Sequence, residues 1–275
     1  MEKHYYHIST KGIDTILFKD QEDFLRIIFI LAQVFSKHFG TELVAYCIMN
    51  NHIHLLVWGN IGVIESQVLK LKKLYSMWYR HKYNVGKVLS HVPCKIRQCQ
   101  DNDDVKNCIG YVYMNPVRAG LTNNAFYYPW SSISAHFREE SYPFMSASEQ
   151  INPKGARNKY HTRALIPDNI RLLPNGQIDP ASIICPDHVL KIMKTSKALY
   201  FFVSKSREHG SNPCETEFLC NDTTTMAKAR ELVRGLCGRD LPLDSLPVDI
   251  RTRVADVLRF NYGTPASVIA RVLGK

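Results

Sequence analysis

The sequence predicts an α+β fold, with helices packed on an antiparallel sheet and a small all-α C-terminal domain. Two apolar segments with strand character, residues 42–48 and 52–58, flank a Met49-Asn50-Asn51 turn, which favours a hairpin. Apolar residues at helical three-and-four spacing precede and follow this pair. We therefore expect a sheet-containing domain over 1–140, a connecting region with a hairpin and a helix over 141–225, and a helical tail over 226–275.

Further elements of the first domain follow from local signals. Residues 4–10 read as a strand that is closed by a Lys11-Gly12 turn. The spacing predicts a helix over 20–38 with Asp20 as its N-cap, and a second helix over about 63–83. Residues 85–100 are irregular and are assigned only a loop or a short strand. A third helix is expected over 101–115, capped by Asp103 or Asp104, disturbed at Pro116 and ended by Gly120.

The composition favours a polyanionic partner such as nucleic acid. The chain of 275 residues contains 35 Lys+Arg against 25 Asp+Glu, a formal net charge of +10. No window reaches the ~18 apolar residues of a membrane span, and the first residues lack a signal-peptide core. We expect a cytoplasmic protein with no membrane partner. The 8 cysteines include no Cys-x-x-Cys pair, so no zinc ribbon is indicated.

The second predicted helix has a basic face next to aromatic rings. Tyr75, Tyr79 and Tyr83 recur every four residues among cations that include Lys72, Lys73, Arg80 and Lys82. A solvated charged face is one interpretation. Cations beside stackable rings also suit single-stranded DNA, and the sequence supports both alternatives.

Two histidines one residue apart mark the most informative stretch. His52 and His54 fall on one face of the predicted strand, about 6.5 to 7 Å apart at their Cα atoms, which lets two imidazoles converge on one metal ion. Tyr111 and Asn115 lie four apart on the third helix and share a face. Each residue considered alone also has an ordinary structural interpretation. The histidines can be polar residues of a half-exposed strand, Tyr111 a core or surface aromatic, and Asn115 a helix terminator before a proline.

Three segments in a fixed order resemble the REP-associated tyrosine transposases, which are HUH single-strand endonucleases. They are Met49-Asn-Asn-His-Ile-His-Leu-Leu56, Tyr111-Val-Tyr-Met-Asn-Pro-Val-Arg-Ala-Gly-Leu121 and Tyr128-Pro-Trp-Ser-Ser132. The resemblance covers roughly residues 4–137 and implies an HUH palm, similar to RNA-recognition folds. It implies His52, His54 and Asn115 as ligands of Mg²⁺ or Mn²⁺, and Tyr111 as the catalytic tyrosine. Tyr113 competes as nucleophile, but it points about 200° around the helix from Tyr111.

The implied activity is single-strand DNA nicking and joining through a 5′-phosphotyrosine, at hairpin or palindromic DNA. The expected DNA contacts are Lys11, Lys72, Lys73, Arg80, Lys82, Lys95, Arg97 and Arg118. Arg118 is either a phosphate contact or a structural partner of the helix end, and its position favours the structural role. Lys11 stands where the family usually has an arginine, and residues 88–97 depart from the segment that the family has before its catalytic helix. These departures leave the residues of the core chemistry untouched and affect the part of the chain that would recognise the DNA hairpin.

The second half offers weaker signals. A Pro-Asn-Gly turn within 167–179 predicts a hairpin, residues 187–204 predict a helix, and 206–225 read as a linker. Helices are expected over 226–237, 247–262 and 265–273. These resemble the helix-turn-helix tail of some relatives, and the alternatives are a truncated DNA-reading module or a plain three-helix bundle.

The sequence is also compatible with two other functions. One is a domesticated relative that binds hairpin DNA without cutting it. The other is a zinc hydrolase using His52 and His54, which lacks an acidic base and a third zinc ligand at a usual spacing. A homodimer and a monomer are both compatible with the sequence.

Overall fold

A four-stranded antiparallel sheet forms the centre of the N-terminal half. Its strands are β1 His4–Thr10, β2 Glu42–Ile48, β3 Ile53–Gly59 and β4 Cys94–Gln98, in the order β2-β3-β1-β4. The computed structural model describes residues 2–10, 16–35, 40–85, 89–91, 94–137, 153–162, 164, 167, 169–205, 222–261, 264 and 266–274. The region left open as a loop or short strand thus contains β4, which pairs with β1.

Three long helices cover the two faces of this sheet, and the prediction of an α+β fold is confirmed. Helices α1 (Gln21–Val34) and α2 (Ile61–Tyr83) pack on one face, where Ile53, Leu55 and Val57 of β3 join their apolar side chains in one core. Helix α3 (Asn102–Arg118) packs on the other face, beside Leu56. The alternation of side chains along β3 assigns its residues to these two cores.

Helix termini follow the local sequence closely, with one correction. Asp20 caps α1 in a capping box with Asp23, as predicted. The cap of α3 is Asp101, whose side chain accepts the backbone N–H of Asp104, so the expectation of Asp103 or Asp104 as the cap was wrong. The helix also continues past Pro116 to Arg118, and Gly120 follows with a φ of 66°.

The connecting region contains more helix than expected. Its helices are α4 Pro153–Tyr160, α5 Pro180–Ile183, α6 Pro186–Met193 and α7 Ser196–Lys205. The single helix expected over 187–204 is therefore two helices, separated at Lys194, which has a φ of 69°. The expected hairpin is present as a short bridge between Leu172 and Ile178 around Gly176. Most of the expected linker, residues 206–221, lies outside the described residues.

Three C-terminal helices surround a small core of their own. They are α8 Asp222–Cys237, α9 Val248–Asn261 and α10 Ala266–Leu273, close to the predicted bounds. Ala229, Val233, Val254 and Leu258 are fully buried between them. Across the described part of the chain, no helix combines the length and the apolar character that crossing a membrane requires.

Candidate active site

The two histidines of the His-x-His stretch lie together where β3 begins. His54 is on the strand and 1% exposed, and half-buried His52 precedes the strand directly after the turn. Their ring centroids are 4.8 Å apart. The Nδ1 atom of His52 is 2.7 Å from Asn51 Oδ1, which holds the ring and leaves its Nε2 side for another partner. The two imidazoles are neighbours, as their spacing suggested, but the expectation that both lie on the strand was wrong for His52, which precedes β3.

Helix α3 brings Tyr111 and Asn115 to these histidines. The Tyr111 ring is buried, with its centroid 5.1 Å from that of His54 and its plane nearly perpendicular. The Asn115 side chain hydrogen-bonds to the His52 ring and donates from Nδ2 to the Tyr111 carbonyl at 3.5 Å. Because Tyr111 and Asn115 are one helical turn apart, both face the same end of the sheet. All four residues predicted from the sequence therefore share one site.

A third histidine, which sequence reasoning missed, completes the cluster. His7 of β1 stacks on His54 with ring centroids 5.4 Å apart and planes 5° apart, and its Nε2 is 3.3 Å from His54 Nδ1. It also meets the Tyr111 ring edge-on at 5.4 Å. The strand character of residues 4–10 indicated that the His7 side chain lies on one face of a sheet. Only the pairing of β1 with β3 shows that this is the face of His54.

Burial keeps these imidazoles neutral. It lowers the pKa of His7 to about 3 and that of His52 to about 4, and it holds the pKa of His54 well below its ordinary value of 6.5. A neutral imidazole has a nitrogen lone pair available, which an imidazolium lacks. At neutral pH the histidines are therefore in the protonation state that a metal ligand requires.

The residues present fit a divalent cation. His54 Nε2 is buried and has no hydrogen-bond partner among the described residues, an arrangement that costs about 1–3 kcal/mol unless a ligand compensates for it. His7 and Asn51 hold the Nδ1 atoms, the arrangement in which metal-binding histidines are usually oriented. The predicted ligands are two imidazoles and an amide, so they add no negative charge, and a bound cation would keep its full charge for an anionic substrate.

Tyr113, the competing nucleophile, faces away from this site. Its hydroxyl is 2.7 Å from His136 Nε2 and 3.2 Å from the Ser132 hydroxyl. Burial raises the pKa of the Tyr113 phenol, which opposes its ionisation. Its contacts join α3 to residues 132–136 and indicate a structural role.

Lys95 and Arg97 of β4 point to the same sheet face as the histidines. Lys95 pairs with Ser9 and Ser9 pairs with His54, while Arg97 pairs directly with His7. Directly paired residues share a face in an antiparallel sheet. Lys95 is exposed, whereas Arg97 makes a bidentate ion pair with Asp104, at 2.7 and 2.8 Å. On α3, the Arg118 guanidinium lies over the Tyr111 ring, with its carbon 5.4 Å from the centroid.

The cations expected on α2 occupy different environments. Lys73 and Arg80 are exposed, and Lys72 is only 8% exposed. Lys82 is held by the carboxylates of Asp20, Glu22 and Asp23 at 2.7 to 3.0 Å. As DNA contacts these four remain predictions, and ion pairing makes Lys82 the least available of them. Lys11 lies outside the described residues.

Comparison with solved structures finds a partial likeness. A structure described as a REP-associated tyrosine transposase bound to a REP hairpin aligns with 51% of this chain and 82% of that chain. The sequence identity is 17% and the TM-score is 0.39. No curated protein sequence matches this chain.

A family model matches the part of the chain that contains the paired histidines. Residues 2–91, 90 of the 275 residues, match the family described as "Transposase IS200 like". The matched segment spans β1 to α2 and includes His7, His52 and His54, and it ends before Tyr111 and Asn115 on α3. Over residues 2–91, about a third of its length, the chain is similar to the IS200-like transposase family.

Proposed function

We propose that this protein cuts and rejoins single-stranded DNA through a covalent 5′-phosphotyrosine at Tyr111. The observation that supports this most strongly is the convergence of His52, His54, Asn115 and Tyr111 from a strand and a helix that are distant in sequence. Only the two histidines lie within the segment that matches the transposase family. The tyrosine and the amide at the same site are therefore independent support.

The proposed cofactor is Mg²⁺ or Mn²⁺, held by His52, His54 and the Asn115 side-chain oxygen. When bound, such an ion polarises a phosphate oxygen of the DNA. His7 and Asn51 would keep the two imidazole rings oriented, with their Nε2 atoms toward the ion.

The chemical step conserves the energy of the phosphodiester. The Tyr111 oxygen forms a bond to phosphorus while the bond from phosphorus to the 3′ oxygen breaks. The phenol loses a proton and the leaving 3′ oxygen gains one, so no water is consumed. Attack by another 3′-hydroxyl reverses the step and joins the strands, which explains why no nucleotide triphosphate is needed.

The proposed substrate is single-stranded DNA at a hairpin or palindromic sequence, as the motif resemblance implies. Exposed Lys95 on the histidine face of the sheet and Arg118 beside Tyr111 are the cations best placed to contact its phosphates. Lys73 and Arg80 on α2 would extend this contact only if the strand passes around the sheet. We therefore rank Lys95 and Arg118 first among the proposed DNA contacts.

The decisive experiment compares Tyr111→Phe with Tyr113→Phe, two substitutions that each remove one phenolic oxygen from the same helix. Each protein is incubated with Mn²⁺ and single-stranded hairpin oligonucleotides, and covalent adducts are resolved on a denaturing gel. We expect the adduct with wild type and Tyr113→Phe, and none with Tyr111→Phe. DNA binding, measured by anisotropy, should be unchanged in Tyr111→Phe.

Two results would contradict the proposal. An adduct that persists in Tyr111→Phe would exclude Tyr111 as the nucleophile. A wild-type protein that binds hairpin DNA with Mn²⁺ present and never forms an adduct would favour the alternative of a hairpin-binding protein that does not cleave.

A further inference from the structure

A second group of metal-ligating side chains lies at the outer edge of the sheet. Glu42 is the first residue of the edge strand β2, and Cys185 and His188 stand at the start of α6. The ligand atoms of these three residues all lie within 4.8 Å of one another. The group brings together a thiol, an imidazole and a carboxylate from positions more than 140 residues apart.

Several contacts fix this arrangement. The Cys185 backbone N–H donates to the Leu43 carbonyl at 2.7 Å, which attaches the start of α6 to β2. Cys185 is the N-cap of α6 but makes no side-chain cap hydrogen bond, and its thiol hydrogen-bonds to the Glu42 carboxylate instead. His188 Nε2 also contacts that carboxylate. Both side chains of the Cys-x-x-His pair are therefore directed to Glu42.

The fourth contact orients the imidazole. The Tyr5 hydroxyl is 2.7 Å from His188 Nδ1. A hydrogen bond to one ring nitrogen fixes the tautomer and directs the other nitrogen, here Nε2, to a ligand. Tyr5 would thus play the part for His188 that His7 plays for His54.

From this geometry we propose that Glu42, Cys185 and His188 bind a divalent metal ion of the zinc class, with Tyr5 orienting His188 and a fourth position open to solvent. Zinc accepts sulfur, nitrogen and carboxylate oxygen together, whereas magnesium and calcium select oxygen. Glu42 and Cys185 are partly exposed, so an ion has a route of entry. The site differs in chemistry from the His52, His54 and Asn115 group, which has no sulfur.

Another sulfur-containing group in the described residues, Cys99, Asp104 and Cys108, is a poorer candidate. Arg97 donates to Asp104 at 2.7 Å and lies 3.0 Å from Cys108 Sγ. A guanidinium at this position already neutralises the carboxylate and repels a cation. At the other group, Lys3 helps to lower the pKa of Glu42, but the ion pair described for this carboxylate is the one with His188.

Metal binding at this position would cross-link the connecting region to the sheet. Two ligands belong to the start of α6 and one belongs to the edge strand β2. A bound ion would therefore hold α6 against β2, the strand next to β3 and its histidines. An ion that binds only the folded protein raises its stability by mass action. The expected consequence is therefore a firmer attachment of α6 to β2 and a more stable folded protein.

Cobalt titration of the full-length protein tests the proposal, because a cobalt–thiolate bond gives a near-ultraviolet charge-transfer absorption that nitrogen and oxygen ligands do not. We expect this absorption in wild type and its loss in Cys185→Ser. A matched control, Cys99→Ser, should retain the absorption, and so should the double variant His52→Ala/His54→Ala. Glu42→Gln, a substitution on the opposite side of the site, should weaken cobalt affinity at least several-fold.

A second measurement is the melting temperature with and without Zn²⁺. It should rise with Zn²⁺ in wild type and in His52→Ala/His54→Ala, and this rise should be absent in Cys185→Ser. Equal thiolate absorption in Cys185→Ser and wild type, or its absence in wild type, would overturn the proposal. Neither result would affect the tyrosine chemistry, because the adduct assay on Tyr111 is independent of this site.

Discussion

The two faces of the sheet differ in what their side chains contribute. On the α1 and α2 face, β3 presents Ile53, Leu55 and Val57, and all are buried in an apolar core. On the α3 face, the same strand presents His54, which stacks on His7 and meets Tyr111. Residues adjacent in sequence thus belong to environments of opposite chemistry.

This difference teaches how a single short strand serves stability and chemistry at once. The side chains that β3 directs to α1 and α2 are all apolar, and their burial favours folding. This free energy compensates for the cost of burying polar imidazoles on the other face. A buried imidazole nitrogen without a partner is unfavourable for folding by itself. Substitutions of neighbours on β3 should therefore have separable consequences.

The largest expected effect is on catalysis, from His54→Ala on the α3 face. Removal of this imidazole takes away a proposed metal ligand, so we expect the covalent DNA adduct to fall by about 1,000-fold or more, below detection. The adduct assay with Mn²⁺ measures this. Circular dichroism provides the control for folding, and an adduct at the wild-type level would exclude His54 as a ligand.

The adjacent substitution, Leu55→Ala, should give the reverse result. Leu55 is 1% exposed in the α1 and α2 core, and its truncation should lower the free energy of unfolding by about 2–5 kcal/mol. Urea denaturation measures the loss. Adduct formation per folded molecule should stay near wild type, and a selective loss of the adduct would show that the two faces are not separable.

A third prediction concerns acid stability on the α3 side. Burial lowers the pKa of His136, the partner of Tyr113, from 6.5 to about 4. Below pH 6.5 the unfolded chain gains a proton that the folded protein does not, so stability is complete above pH 6.5 and is lost as the pH falls toward 4. At about 1.4 kcal/mol per pH unit, His136 should cost about 2 kcal/mol at pH 5.

Urea denaturation at pH 7 and pH 5 measures this loss. The variant His136→Gln should reduce the difference between the two pH values, while His7 and His52 continue to contribute in the same direction. A difference that is the same in the variant and wild type would contradict the assignment to His136.

His7 offers a smaller and more selective effect. In His7→Leu, the Nδ1 atom of His54 loses its partner, and we expect a decrease of about 10–100-fold in Mn²⁺ affinity. His7→Gln can still hydrogen-bond to His54 and should lose less. Calorimetric titration of both variants with Mn²⁺ measures the difference, and equal affinities for His7→Leu and wild type would rule out a positioning role.

The smallest expected effect separates two lysines. Lys95→Ala should weaken binding of single-stranded DNA a few-fold and lower the dependence of log K on log salt by about 1, because one phosphate contact is lost. Lys82→Ala should leave DNA binding nearly unchanged, because Lys82 is engaged by three carboxylates. Anisotropy titrations at several salt concentrations measure both, and the opposite ranking would place the DNA on α2.

Local signals in the sequence were sufficient for much of the fold. The alternation in 42–58 predicted the β2 and β3 pair, and Asp20 predicted the start of α1, because both depend on neighbouring residues alone. The spacing of Tyr111 and Asn115 predicted their shared face in the same way. The motif resemblance was needed to associate that face with the histidines.

Features that depend on distant pairing were not predictable. The strand β4 is stabilised by its pairing with β1, and the separate pairing of β1 with β3 places His7 beside His54. The approach of Cys185 and His188 to Glu42 depends on how the connecting region returns to the edge of the sheet. The helix was predicted over 101–115, with a disturbance at Pro116 and an end at Gly120, and α3 stays helical through Pro116 to Arg118 before Gly120 follows.

The central place of β1 in the sheet has a consequence for folding during synthesis. This strand is made first, yet its two neighbours are β3 and β4, which end at residues 59 and 98. The nascent segment must therefore wait for both partners to leave the ribosome before its backbone groups are paired. Loss of the first ten residues would divide the sheet in its middle, and the imidazole at position 7 would be lost in the same event.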